Sequence, residues 1–471
     1  MPMKIKFGTE GWRGIIADDF NFENLAKVAG AISGVLPRGK NILVGYDNRF
    51  LSERFAQFVA SIFRKNGHTV KMTGSSVITP NLCYATKTLS CEIGIMITAS
   101  HNPYQFNGIK IKAPYGGPVP VWFSQKVEEN LGKQDTPGEN FSVLDETGLT
   151  CIDIVPDYIE YLGKSVDLSC VQKIRKKIVF DCMYGPSGQY IRGLFNNGNT
   201  MTIRAHRDPT FGGMGPEPVE KNLSQLKKAV IKEKAGCGLA FDGDGDRLGV
   251  IDDTGSYLPP HIVFPLLLDY LVKVKELSGS VVQTISLGYL SRRIAKRYNL
   301  PFTETRVGFK HIADKLLNEN VLLGGEESGG YWAMSEIEDR DGVLSALILT
   351  EMLGSSGKKL SRHVFELQEE FGKSFFLRDD IRLKEIIFDK DNFSRKVTGL
   401  IPKKIFAKIV SNVDTWDGIR IALNDDSWLL MRPSGTEPVL RVYAETDSPV
   451  RTRKLISFGK KLAGYALKNT K

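Results

Sequence analysis

Three times along this chain a short β-rich run is followed by a glycine-containing turn, an amphipathic helix and, later, a second apolar run that ends in a polar loop. The first copy has Asn41-Ile42-Leu43-Val44-Gly45-Tyr46-Asp47, a helix through Ala56 to Lys65, and a run that ends at Ser100. The second has Lys177-Ile178-Val179-Phe180-Asp181, Gly185, a helix through Ile191 and Leu194, and Cys237-Gly238-Leu239-Ala240-Phe241 leading into an aspartate loop. The third has Val281-Val282-Gln283-Thr284-Ile285, Gly288, a helix through Ile294, and Asn320-Val321-Leu322-Leu323 ending in Gly324-Gly325-Glu326-Glu327-Ser328-Gly329-Gly330. Alternating strand and helix patterns of this kind predict α/β layers. Open α/β sheets carry functional loops at strand ends, so three such domains would bring one loop each to a shared cleft.

The carboxy-terminal part follows a different period. Two-residue alternation appears in Gly418-Ile419-Arg420-Ile421-Ala422-Leu423, in Trp428-Leu429-Leu430-Met431 and in Leu440-Arg441-Val442-Tyr443. With helices near Ser394 to Val397 and Val450 to Leu467, this predicts an α+β domain on an antiparallel sheet. At 471 residues the chain exceeds what one core organises, given roughly 100–200 residues per domain. The expected partition is three similar α/β domains with mixed sheets, 1–150, 151–256 and 257–367, plus a C-terminal α+β domain, 368–471, around a central cleft.

The 63 Lys and Arg against 54 Asp and Glu leave a formal net charge of +9, which favours an anionic partner. No basic tract or nucleic-acid motif concentrates that charge, so phosphorylated small molecules suit it better than nucleic acid. Hydrophobic residues at 42% and charged residues at 25% are ordinary for a soluble globular chain. The six cysteines are scattered, with no C-x-x-C pair and no clustered His, and read as buried apolar thiols of a reducing compartment. The amino terminus, Met1-Pro2-Met3-Lys4-Ile5-Lys6-Phe7, runs into a strand-like pattern and lacks the apolar core of a signal peptide. The stretch from Val263 to Leu271 is interrupted by Pro265 and Asp269 and is too short to span a bilayer. A cytoplasmic protein with no membrane partner is expected.

Chemistry enters with three loops. Thr98-Ala99-Ser100-His101-Asn102-Pro103 puts a serine hydroxyl in a polar turn directly after Ile93-Gly94-Ile95-Met96-Ile97, making Ser100 a candidate phosphoryl carrier. Serine is a poor nucleophile, so the role needs a metal to screen charge and nearby cations or bases to manage the proton. Lys110, ten residues later, could return to the serine on the next strand and act as general acid or base if its pKa were lowered, or be a solvated surface lysine. Adjacent side chains usually point apart, which gives His101 a supporting role rather than that of the base. Arg13, in Phe7-Gly8-Thr9-Glu10-Gly11-Trp12-Arg13-Gly14, stands near the serine phosphate or serves packing only.

Asp242, Asp244 and Asp246 alternate with glycines, which lets one tight turn point three carboxylates at a hard cation such as Mg²⁺. An EF-hand would need Gly where Arg247 stands and helical flanks where these look like strands. A plain Gly-Asp hairpin is the remaining competitor, yet three unpaired carboxylates that close repel one another without a cation. Glycines around Glu326 and Ser328 allow close approach of a ligand whose sugar hydroxyls those side chains could bind. In Arg432-Pro433-Ser434-Gly435-Thr436, backbone N–H groups, two hydroxyls and a guanidinium can enclose a phosphate, unless the segment is only a structural turn.

Taken together these residues resemble the α-D-phosphohexomutases, specifically the phosphoglucomutase/phosphomannomutase branch. FGTEGWRG, TASHNP, NGIK, DGDGDR, GEESG and RPSGTEP occur in the family's order along essentially the whole chain. The resemblance implies four domains around a central cleft, phosphorylation of Ser100, and Mg²⁺ held by Asp242, Asp244, Asp246 and the phosphate on Ser100. It implies sugar recognition by Glu326 and Ser328 and phosphate recognition by Arg432, Ser434, Gly435 and Thr436. It places Arg247 and Lys110 near the reacting phosphate, and Arg306 and Lys310 in a substrate-contacting loop. The family often has His where this chain has Gly330, and Glu10 and Trp12 stand where subgroups vary.

The implied reaction interconverts hexose 1-phosphate and hexose 6-phosphate, of glucose or mannose, through phosphoserine and a hexose 1,6-bisphosphate that also serves as activator. Phosphosugars are then the partners, and their charge, near −1.5 to −2 per phosphate, accounts for the basic excess. Phosphoglucosamine mutase is the nearest alternative. A metal-dependent sugar phosphatase could use the same serine and aspartates but release phosphate to water.

Overall fold

The computed structural model describes residues 5, 7–8, 10–131, 149–174, 176–195, 198–387, 389–434 and 438–468. They pack into two compact units: Met1–Pro259 with Gly308–Ser361, and Pro260–Val307 with Arg362–Lys471.

The first unit holds two mixed sheets. In the six-stranded sheet the order is Gly11–Ile15, Phe106–Lys112, Ile93–Ile97, Asn41–Tyr46, Thr69–Thr73, Thr150–Ile152. Asn41–Tyr46 runs parallel to both Thr69–Thr73 and Ile93–Ile97, while Phe106–Lys112 returns antiparallel. All five residues of Ile93–Ile97 are buried, as an uninterrupted apolar run in a sheet covered on both faces requires. The covering helices include Phe22–Ser33, whose N-cap Asn21 side chain accepts from Asn24 N–H, and the amphipathic Ser52–Lys65, with Arg64 and Lys65 in its last turn. Trp12, Phe20, Phe55 and Phe63 pack into the core between them.

The five-stranded sheet has the order Tyr257–Leu258, Leu248–Asp252, Cys237–Phe241, Ile178–Asp181, Thr200–Ile203, parallel at one end and antiparallel at the other. The antiparallel pair Val321–Gly325 and Tyr331–Ala333 completes the unit, with the buried helix Gly342–Ser356 capped by Asp341. In the second unit Ser280–Thr284 pairs parallel with Phe302–Thr305. Its six-stranded sheet, Phe375–Arg382, Val439–Thr446, Trp428–Pro433, Ile419–Leu423, Lys408–Asp414, Lys404–Ile405, is antiparallel throughout. The α/β pattern with mixed pairing in three segments and an antiparallel carboxy-terminal sheet is the class the alternation predicts.

Two expectations are corrected. Among the described residues the first strand is Gly11–Ile15; of the strand-like stretch Met1 to Phe7 only Ile5 and Phe7 are described, and they join no sheet, Phe7 N–H donating to Glu128 Oε1 (2.8 Å) on a helix. Cys83, Cys91, Cys182 and Cys237 are buried, but Cys151 is exposed on the short edge strand and Cys170 is partly exposed; all six are free thiols. No helix among the described residues is long and apolar enough to cross a membrane, and Val263 to Leu271 lies inside the buried helix Pro260–Lys273.

Candidate active site

Ile93–Ile97 delivers the chain into the turn at Ser100, which is 1% exposed and adopts φ +52°, a left-handed conformation that a non-glycine residue takes only when its surroundings impose it. Ser100 Oγ donates to Asp242 Oδ2 at 2.8 Å. It also lies 3.5 Å from His101 Nδ1, so the two neighbours do not point apart. Side chains alternate only along extended backbone, and the left-handed residue brings both to one side. Burial, then Arg247 and Arg13, push the His101 imidazole well below its ordinary pKa, and the ring is neutral.

The aspartate loop connects Cys237–Phe241 to Leu248–Asp252 as a hairpin. Asp242, Asp244 and Asp246 are fully buried, and each offers an oxygen within 4.8 Å of the others. Asp242 Oδ1 accepts the backbone N–H groups of Asp246 (3.0 Å) and Arg247 (3.2 Å), which fixes the turn. Asp244 Oδ1 and Asp246 Oδ1 are buried with no hydrogen-bond donor among the described residues. Unpaired carboxylate oxygens cost too much to bury without compensation. Burial and the charges of Asp246 and Asp244 push the Asp242 carboxyl well above its usual range, a repulsion that a divalent cation relieves. The donor set therefore fits a hard cation such as Mg²⁺.

Lys110 lies on Phe106–Lys112 opposite Met96, and its side chain is buried. Its Nζ donates to Asp244 Oδ2 (2.7 Å) and Asp246 Oδ2 (2.8 Å), with Glu10 Oε2 at 3.6 Å. Burial works to lower its pKa, but these carboxylates outweigh it and raise the value instead. With Asp244 and Asp246 uncompensated by a cation, Lys110 is held as a cation. Arg13 Nη1 donates to Asn102 Oδ1 (2.7 Å), which ties it to the serine turn, and Arg247 reaches Glu217 (3.8 Å) and Asp246 (3.9 Å).

Glu326 is buried at the start of its glycine loop, where Oε1 accepts Gly308 N–H and Oε2 accepts Arg340 Nη1, both at 3.0 Å. Burial raises its carboxyl to about 7 even against the Arg340 charge. Ser328 Oγ is buried without a hydrogen-bond partner among the described residues. Lys310 is partly exposed. In the second unit, Arg306 is exposed and Arg432 Nε donates to Asp417 Oδ1 (3.0 Å), whose Oδ2 accepts Val307 N–H (2.8 Å). Ser434 N–H bonds Val439 O (2.9 Å). Gly435 and Thr436 lie outside the described residues.

Several residues close to this chemistry were not read from the sequence. Thr79 Oγ1 donates to Asp244 Oδ2 (2.6 Å). Arg340, 7% exposed at its side chain, joins Glu10 (2.5 Å), Asp246 (2.9 Å) and Glu326 (3.0 Å). A Cβ at Gly330 would lie 2.2 Å from Arg340 Cδ, so Arg340 fills the space that a larger residue at 330 would need. The local signal at Arg340 is its place directly before Asp341, the N-cap of the helix Gly342–Ser356.

Models of the phosphoglucomutase/phosphomannomutase domains match the chain in order: α/β/α domain I over residues 4–137, domain II over 156–255, domain III over 259–371 and the C-terminal domain over 394–457. A phosphoglucomutase/phosphomannomutase of Thermococcus kodakarensis is 32% identical over 98% of this chain and 99% of its own. A phosphoglucosamine mutase of Methylococcus capsulatus is 29% identical over 95% of this chain and 96% of its own. A crystal structure from Thermus thermophilus, with the provisional description phosphomannomutase, superposes with a TM-score of 0.85 at 30% identity, covering 98% of this chain and 100% of that one.

Proposed function

The chain belongs to the phosphoglucomutase/phosphomannomutase family, and from that premise we propose that it interconverts the 1- and 6-phosphates of glucose and mannose through phosphoserine at Ser100 and a hexose 1,6-bisphosphate. The enzymes of this family are mutases, that is, intramolecular phosphotransferases. The observation that carries the proposal is the 2.8 Å approach of Ser100 Oγ to Asp242 beside two buried carboxylate oxygens that lack donors among the described residues.

In the proposed reaction a sugar hydroxyl attacks the phosphorus of phosphoserine. The new bond joins sugar oxygen to phosphorus, the Ser100 Oγ–P bond breaks and the hydroxyl proton passes to the departing Oγ; the bisphosphate then turns, Oγ attacks its other phosphoryl group, and that proton goes to the sugar oxygen that leaves. Asp242, Asp244, Asp246 and the serine phosphate would hold Mg²⁺, which supplies charge screening for the transferring group. Arg13, Arg247 and the charged Lys110 stabilise the dianion electrostatically, and His101 positions the hydroxyl as a neutral hydrogen-bonding ring. Glu326 and Ser328 bind hydroxyls common to both orientations of the sugar, with Arg306 and Lys310 as further contacts. The segment with Arg432, Ser434, Gly435 and Thr436 holds the phosphate that is not reacting.

A second substrate is favoured by the Methylococcus relative, a phosphoglucosamine mutase with nearly the identity of the glucose/mannose one. Coupled assays on glucose, mannose and glucosamine 1-phosphates, primed with the matching 1,6-bisphosphate, decide between them. Turnover confined to glucosamine 1-phosphate would overturn the glucose and mannose assignment.

Glu326 sets a pH limb. Its carboxyl, raised to about 7 by burial, is ionised and able to accept two sugar hydroxyls only above that pH. kcat/KM should fall as pH drops through about 7 and should lose this limb in Glu326→Gln. A profile unchanged by that substitution would remove Glu326 from sugar binding.

Arg432→Ala removes one charge-assisted phosphate contact, worth on the order of 1.5–3 kcal/mol, or roughly 10- to 150-fold in binding. KM should rise accordingly and dependence on added bisphosphate should grow, while Ser100 still accepts phosphate from that activator. Unchanged KM in steady-state assays would leave the segment as a structural turn.

A further inference from the structure

Arg49 is fully buried in the first unit, in the turn before the helix Ser52–Lys65. Its guanidinium is spent on one short stretch of backbone: Nη2 donates to the carbonyls of Ser100 (2.5 Å) and Asn102 (2.7 Å), and Nη1 to those of Pro103 (3.0 Å) and Phe106 (3.0 Å). Asp47 anchors it, with Oδ1 accepting Arg49 N–H (3.0 Å) and Ser52 Oγ (2.9 Å), and Oδ2 lying 3.2 Å from Arg49 Nε. The same Oδ2 accepts Thr98 Oγ1 (2.6 Å), and Thr98 Oγ1 accepts Ser100 N–H (2.9 Å). Both backbone polar groups of Ser100 are therefore held by side chains that converge on Asp47. Phe211 covers the guanidinium at 4.9 Å from its ring centre.

We propose that Asp47, Arg49 and Thr98 form a clamp of positioning residues that imposes the left-handed backbone of Ser100 and thereby aims its Oγ at the aspartate loop. The inference rests on Ser100 being the phosphoryl carrier. Serine does not choose φ +52° by itself, and the clamp supplies the compensating bonds on both sides of the residue. The aspartate loop closes on the same carbonyl: a Cβ at Gly243 would stand 2.5 Å from Ser100 O, so only glycine lets the two loops approach this closely. With its backbone locked, Ser100 keeps only side-chain rotation, and Oγ returns to one place after each of the two transfers that make a turnover. Four carbonyls arranged around one planar fork suit guanidinium and not ammonium, so lysine cannot replace Arg49.

The test uses the full-length protein carrying Arg49→Lys or Thr98→Val, with glucose 1,6-bisphosphate as phosphoryl donor. Phosphorylation of Ser100 is followed by rapid quench and mass spectrometry, beside kcat, sugar KM and thermal melting. Misplacement of a reacting atom by about 1 Å lowers rates about 10²-fold, so the phosphorylation rate and kcat should fall by roughly 10- to 100-fold in both variants, with sugar KM within about twofold of wild type. Thr98→Val is nearly isosteric and removes only the hydroxyl, so it decides the matter if Arg49→Lys fails to fold. Wild-type phosphorylation rate and kcat in folded Thr98→Val overturn the clamp, as does a loss confined to KM or to melting temperature. Failure of the carrier assignment itself looks different: Ser100→Ala would then still take up phosphate and turn over.

Discussion

Ser100→Ala should lower hexose phosphate interconversion by at least about 10³-fold, because no other group can take its place as covalent carrier. The hydroxyl is buried, directed at Asp242 and set on a turn whose backbone is fixed from both sides. His101 is neutral and 3.5 Å from the same oxygen, a hydrogen-bonding partner of the carrier and not a carrier. The variant should fold normally, since one hydroxyl hydrogen bond is lost, worth about 1 kcal/mol. Melting temperature near wild type, together with Mg²⁺ affinity equal to that of the unphosphorylated wild type, would separate loss of chemistry from loss of structure. Activity within about tenfold of wild type would exclude the carrier role.

Asp244→Ala should weaken Mg²⁺ or Mn²⁺ binding by more than about 100-fold, a loss beyond the 10–100-fold typical of residues one shell farther out. The reason is the pair of donor-free oxygens on Asp244 and Asp246: one disappears, and Lys110, which donates to Asp244 Oδ2 at 2.7 Å, loses a counter-charge beside the site. A cation that binds the folded protein raises its melting temperature by mass action. Wild type should therefore melt higher with saturating Mg²⁺ and return to its original value in EDTA, whereas Asp244→Ala should show little shift. Activity should vanish reversibly on chelation. An equal thermal shift in the variant would place the metal elsewhere.

The loops that carry this chemistry were legible because each follows an apolar run whose period is read directly: Ile93 to Ile97 before Ser100, Cys237 to Phe241 before the aspartates, Val321 to Gly325 before Glu326. The antiparallel carboxy-terminal sheet was equally legible from two-residue alternation in Ile419 to Leu423, Trp428 to Met431 and Leu440 to Tyr443, which fall on its strands. What escaped is what depends on distance along the chain. Arg340 meets Glu10 across 330 residues, and Arg49 meets the serine turn across 51 to 57, pairings that no local pattern encodes. The charge state of Lys110 escaped for a related reason, since the carboxylates that hold it protonated stand 134 and 136 residues away. The direction of the His101 side chain escaped because alternation presumes extended backbone, and Ser100 is left-handed. Residue type alone predicts a buried Cys151, yet its strand is three residues long and lies at the sheet edge.

The most direct test of mutase chemistry is a chase of labelled phosphoenzyme. Protein carrying ³²P on Ser100 is mixed with unlabelled glucose 1-phosphate and Mg²⁺, quenched within one turnover, and its products are separated. Transfer through a bisphosphate predicts that the label leaves Ser100 for glucose 1,6-bisphosphate and then glucose 6-phosphate, with negligible inorganic phosphate. Label recovered as inorganic phosphate would make the protein a phosphatase, and label that stays on Ser100 while glucose 6-phosphate accumulates would contradict the phosphoserine route altogether.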